Sequence, residues 1–188
     1  MSDFEHLSAA LVRNWHVWLV TVTLIVAAVI DGYKLKVPNW ITFPMILGGI
    51  AFNVATGGWE GLLWSLLGTA VGLALLMPAY AIGGMGAGDV KLLAGVGAWV
   101  GSTTTFHAFC WSAILGGVIA LLMILARNGW RKHGKQFQTI VTEVVTIGSP
   151  TELSTIAAKR KSSMLLLPYG IPIALGTIAY FYWANMLI

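Results

Sequence analysis

Two acidic residues, Asp31 and Asp89, stand where an acid is costly. Asp89 lies in the stretch 81–100, AIGGMGAGDVKLLAGVGAWV; no Asp, Glu, Lys or Arg occurs from Gly61 to Gly88, and after Lys91 none recurs until Arg127. At the centre of a membrane helix an ionisable side chain costs about 2.5–3.5 kcal/mol, so it needs a partner, water or a task. Two carboxylates held a few ångströms apart cannot both ionise easily, so one keeps its proton while the other is charged. Such a pair can act as general acid and general base around one water, and it is equally natural in a proton relay. Each aspartate also has a plain structural reading. Asp89 precedes the apolar run 90–100, where an N-cap aspartate belongs, and Asp31-Gly32 is a common turn pair. Taken alone, Asp89 reads equally as cap or as catalyst.

The residues around Asp89 divide in the same way. Gly83, Gly84, Gly86 and Gly88 crowd its approach, and glycine lets a backbone bend, or lets an extended peptide pass close, where a side chain would collide. Glycine is also common in membrane helices for packing alone. Lys91 favours an ionised Asp89, or is simply a basic residue at a membrane surface.

The elements that must position these groups follow from hydropathy. With about 20 apolar residues per span, six helices are expected: 15–30, 40–54, 59–82, 89–100, 106–126 and 164–187. Trp15, Trp18, Trp40, Trp59, Trp99, Trp130 and Trp183 fall near the expected ends, as interfacial indoles should. Pro44 and Pro78 are expected to kink or end their helices and open space, or are tolerated as membrane prolines often are. The fourth span is short, about 18 Å at 1.5 Å per residue against a core of about 30 Å, which recesses Asp89 below the surface. Of the 11 Lys and Arg, only Arg13 precedes the first span. Lys34 and Lys36 lie in the first loop, Lys91 at the third and seven in the fifth, which places odd-numbered loops in the cytoplasm and both termini outside. Asp31, ending helix one, and Asp89, beginning helix four, are then the only two of seven acids that adjoin spans on the cytoplasmic face.

Composition supports this class. Of 188 residues, 57% are hydrophobic and 10% charged, with a mean hydropathy of +0.81, against roughly 25% charged in soluble domains. The expected fold is all-α, a polytopic membrane protein of about six transmembrane helices in one bundle, forming one domain over 1–188. The net charge of +4 sits in cytoplasmic-type loops, so nucleic acid is set aside as a partner. Cys110 is the only cysteine, and His6, His16, His107 and His133 form no ligand pair, so neither a metal nor any other cofactor is expected. Asp3 and Glu5 stand where a signal peptide carries basic residues, so the first apolar segment is expected to stay. The basic loop 127–163 has Phe137, Ile140, Val141, Val144 and Ile147 at helical spacing and a capping box at Ser149-Pro150-Thr151-Glu152. It reads as amphipathic helices on the anionic leaflet, although the β-branched run 140–147 also suits a strand.

Together these residues resemble the type IV prepilin peptidases, intramembrane aspartyl proteases with a GxGD motif. Gly86-Ala87-Gly88-Asp89, followed by Val90-Lys91-Leu92, matches GxGDxKL. Asp31 with Pro38-Asn39-Trp40 looks like the first-aspartate region, and 167–174, LPYGIPIA, like the C-terminal Pro/Gly signature that contains Pro168, Gly170 and Pro172. The resemblance implies Asp31 and Asp89 as the catalytic pair and the glycines, Lys91 and the C-terminal signature as site-shaping groups. It implies a prepilin or pseudopilin substrate, whose short basic leader is cut at the cytoplasmic face of the inner membrane before its apolar helix. Longer members carry paired Cys-x-x-Cys motifs and an N-methylating activity. This sequence has neither motif, so it is similar to the short kind serving tight-adherence pili, and methyl transfer is expected to be absent. The rival from another class is a small transporter or proton-pathway protein using the same two aspartates. A third reading is an interaction subunit in which they only cap helices.

Overall fold

A computed structural model describes residues 14–81, 84–126 and 168–187. Among these the chain forms four helical elements and no strand: α1 Trp15–Lys34, α2 Asn39–Ala81, α3 Ala87–Ala126 and α4 Gly170–Trp183. Three of them, α1, α2 and the Ala87–Met123 part of α3, are long and apolar enough to cross a membrane. The expected basic loop 127–163, Trp130 and Gly83 lie outside the described residues.

The expected second and third spans run on as α2, and the fourth and fifth as α3. Each long helix is broken by one glycine in a backbone conformation that other residues rarely adopt: Gly58 at φ 58° and Gly101 at φ 77°. A polar connecting loop is therefore absent at both places. At the Gly58 break the chain folds back so tightly that a Cβ on Gly61 would run into the Asn53 carbonyl. Pro44 and Pro78 lie inside α2 without ending it.

The 87–100 leg of α3 is the centre of the bundle. Leu92, Leu93, Ala94, Val96 and Ala98 are all fully buried, and a helix apolar and buried all round must be enclosed on every side. The 39–57 leg of α2 runs parallel to it: Lys91 meets Asn39, Gly95 faces Met45 and Gly49 faces Ala98. The 59–81 leg runs antiparallel, with Gly68 against Gly97 and Gly72 against Leu93 and Ala94, so close that a Cβ at any of these glycines would strike backbone. Beyond Gly101 the 102–126 leg pairs antiparallel with α4, through His107 stacked on Tyr180, Gly176 against Ser112 and Gly116 against Pro172.

Helix α1 buries Val17, Val20, Leu24, Ala27 and Asp31, a 3-4-3-4 spacing that marks one face of a helix. Asp31 therefore occupies a core position on an otherwise apolar stripe. The helix continues to Lys34 and closes at Leu35 in the left-handed conformation, whose N–H returns to the Asp31 carbonyl. Asp31 is inside the last turn, not at a helix end. Trp15, at the other end of α1, packs edge-on to Phe52 and Trp99, 5.2 and 6.2 Å away. That aromatic cluster is about 24 Å from the Asp31 level at 1.5 Å per residue.

One further expectation is corrected. Trp99 is a core residue, 6% exposed, because its indole N–H finds the Met45 carbonyl at 2.8 Å; an interfacial indole would meet water instead. Helix α4 runs from Gly170 to Trp183 within the expected sixth span, whose first residues, 164–167, lie outside the described residues.

Candidate active site

Asp89 is the third residue of α3. Its Oδ2 accepts the N–H of Gly86 at 3.1 Å, a carboxylate in the first turn reaching back to a donor that the helix leaves unpaired. The expected N-cap role is therefore corrected: Asp89 lies inside the first turn, and its one bonded oxygen reaches back to the N–H of the residue before the helix, not forward to first-turn amides. The other, Oδ1, is buried and has no hydrogen-bond partner among the described residues, although a buried polar atom without a partner costs about 1–3 kcal/mol. One oxygen anchors the side chain and the second is left for something else.

Asp31 is held in the same manner by a distant part of the chain. Its Oδ2 accepts the N–H of Gly170 at 2.8 Å, a bond spanning 139 residues. The first turn of α4 has such free donors, and Gly170 is required there because a Cβ would stand 2.9 Å from Oδ2 and 3.1 Å from Cγ. The two acids, 2% and 6% exposed, line one cavity of about 410 Å³ with Gly86, Gly88, Lys91, Asn39, Met85 and Tyr169.

The remaining expected site residues separate by what they touch. Gly86 is at the carboxylate, since its Cβ would lie 3.3 Å from Asp89 Oδ2. Gly88 lines the cavity, but its missing Cβ faces the 35–38 connection, 2.5 Å from the Val37 carbonyl, so its smallness serves packing. Gly84 ends the α2 connection through its N–H to the Ala79 carbonyl at 2.9 Å. Lys91 is on the cavity wall, where its ammonium donates to Asn39 Oδ1 at 3.1 Å and lies over the Phe43 ring at 4.7 Å; it engages neither carboxylate. Pro168 precedes α4 and is not part of this wall, and Pro172 belongs to a separate apolar cavity.

Sequence reasoning assigned no role to Asn39, Met85 and Tyr169. Asn39 and Tyr169 stand inside the PN and LPYG motifs, which is the signal that could have found them. Burial pushes the Tyr169 phenol above its usual range, and the Asp89 charge adds to this. Among the described residues no three His, Cys, Asp or Glu side chains cluster as metal ligands.

Comparison with known proteins gives the family. The model of the type IV leader peptidase family matches residues 18–121, a stretch that contains both aspartates. The chain is similar to the prepilin leader peptidase/N-methyltransferases of Aeromonas salmonicida, 33% identical over 117 residues, of Neisseria gonorrhoeae, 34% over 117, and of Pseudomonas putida, 30% over 116. The match covers 58% of this chain and 40%, 41% and 40% of those relatives, so the chain spans about two fifths of their length. No solved structure matches it. With a family match over more than half its residues, across the two aspartates that share one buried cavity, the chain belongs to the type IV leader peptidase family.

Proposed function

We propose that the chain is an intramembrane aspartyl endopeptidase that removes a short basic leader from prepilin-like proteins at the cytoplasmic face of the membrane. One observation carries this reading: two buried carboxylates face a common cavity, each held at one oxygen by a backbone N–H, and Asp89 Oδ1 has no partner among the described residues. An acid used only as a cap has no need of a second one at the same cavity.

In the proposed reaction the charged aspartate takes a proton from a water bound between the pair, and the water oxygen attacks the scissile carbonyl carbon. The protonated aspartate hydrogen-bonds the developing oxyanion. The C–N bond then breaks, the amine nitrogen takes the proton that the base removed from the water, and the products are the leader's carboxylate and the new N-terminus. No covalent intermediate forms. The chain is proposed to cross the inner membrane six times, using the legs on either side of Gly58 and Gly101 as separate spans, with both termini outside. Loop 127–163 is proposed to lie on the cytoplasmic leaflet. Methyl transfer, the other half of the relatives' printed names, is outside the proposal, because Cys110 is the only cysteine and no Cys-x-x-Cys pair exists.

The test is cleavage of a panel of prepilins by the purified protein. Asp31→Asn and Asp89→Asn each keep a carbonyl oxygen for Gly170 or Gly86 and remove the proton chemistry. Each is expected to lower cleavage by about 10²–10⁴-fold or more with little change in melting temperature. Near-parental turnover by either variant overturns the mechanism.

A further inference from the structure

A second cavity, of about 280 Å³, lies between the 59–81 leg, the 102–126 leg and α4. Its walls include Leu75, Leu76, Phe109, Gly117 and Ile173, and it is almost wholly apolar. Met85 and Tyr169 line both this cavity and the one that holds the aspartates, so the two spaces are neighbours through two side chains. The first offers carboxylates and a lysine; the second offers hydrocarbon.

We propose that this apolar cavity is the subsite for the first large apolar side chain on the C-terminal side of the scissile bond. The inference rests on the leader-peptidase reading and adds to it a pocket that sets specificity. A polar leader joined to an apolar helix changes character at the bond to be cut, and the protein changes character in the same way across Met85 and Tyr169. A peptide bond placed at the carboxylates has its next side chains within reach of that partition. Size fits one or two such side chains: an apolar cavity of about 150 Å³ accommodates a benzene ring. Filling it removes apolar surface from water or from a loosely packed void, and binding energy used close to the reacting bond aligns that bond. Tyr169, one of the two dividing side chains, is at the same time the residue before Gly170, whose N–H holds Asp31. Occupation of the apolar side can thus be felt at the carboxylate, which makes Tyr169 a positioning residue.

Gly117 provides the test, since it lines the cavity and a Cβ there meets nothing within 4 Å, so Gly117→Leu is chosen to take up cavity space. Prepilin substrates carrying Phe, Leu or Ala directly after the scissile bond are compared by kcat/KM. The parent is expected to prefer Phe and Leu. Gly117→Leu is expected to lower the ratio of kcat/KM for Phe or Leu to that for Ala about 10–100-fold. As a second measurement, the Asp89→Asn protein is given a prepilin with a benzophenone side chain at that position. The crosslinks are expected within 109–120 or 168–173. An equal loss on all three substrates overturns the subsite, as do crosslinks elsewhere with lipid retained in the cavity. A parent that cleaves none of the panel overturns the leader-peptidase reading and the subsite with it, whereas cleavage with misplaced crosslinks overturns the subsite alone.

Discussion

Three glycines near the aspartates look alike in the sequence and differ in what they touch, which makes them separable by substitution. A Cβ on Gly170 lies against the Asp31 carboxylate itself, and one on Gly86 against Asp89 Oδ2, whereas one on Gly88 lies against the Val37 backbone. Gly170→Ala is therefore expected to displace Asp31 and lose most cleavage. Gly86→Ala, at 3.3 Å, needs the carboxylate to give by a few tenths of an ångström, and a smaller loss is expected with melting unchanged. Gly88→Ala strains packing and is expected to cost about 1–3 kcal/mol of stability, with activity falling only as far as folding does. Melting temperature in detergent and prepilin cleavage, read on the same samples, check all three. The two aspartates were legible in the sequence because so few acids adjoin apolar spans. The division of labour among the glycines was not, since it depends on which neighbour each missing Cβ would face. Nor was the Lys91 pairing with Asn39 and Phe43, which needs two elements packed side by side.

Six spans were expected, and the described residues form four helical elements. Gly58 and Gly101 turn the chain within continuous helical elements where loops were expected. Near the second break the Ala98 carbonyl accepts both Asn53 Nδ2 at 2.9 Å and Ser65 Oγ at 2.7 Å, tying three legs to one acceptor. Gly68 and Gly97 bring the 59–81 and 87–100 legs into backbone contact, the kind of close approach that drives helix association in lipid. Gly97→Leu is expected to separate these legs and lower the detergent melting temperature sharply, by more than the 1–3 kcal/mol typical of overpacking. Gly57→Ala, with nothing within 4 Å, is expected to leave it unchanged. Equal melting of the two variants would show that the contact contributes little.

For the whole molecule, the direction of every leg is fixed relative to the others, with the Trp15, Phe52 and Trp99 cluster at one end and the aspartates at the other. The cytoplasmic side is proposed for the aspartate end on charge, since Lys34, Lys36 and Lys91 gather there. With Cys110 replaced by Ser, a cysteine at Gly57 is expected to label from outside in intact cells, and one at Tyr33, 86% exposed, only after permeabilisation. The reverse pattern would place the aspartates outside. The all-helical, membrane-spanning class was open to sequence reasoning, because lipid constrains composition strongly. The pairing of α1 with α4 was not, because nothing local in either segment names its partner. That pairing has a consequence for biosynthesis. The ribosome releases Asp31 and Asp89 long before Gly170, so a nascent chain holds both acids while one of them still lacks its anchoring N–H. If the aspartates act as proposed, cleavage is expected only once the last helix has brought Gly170 to Asp31, which would make activity a readout of finished insertion.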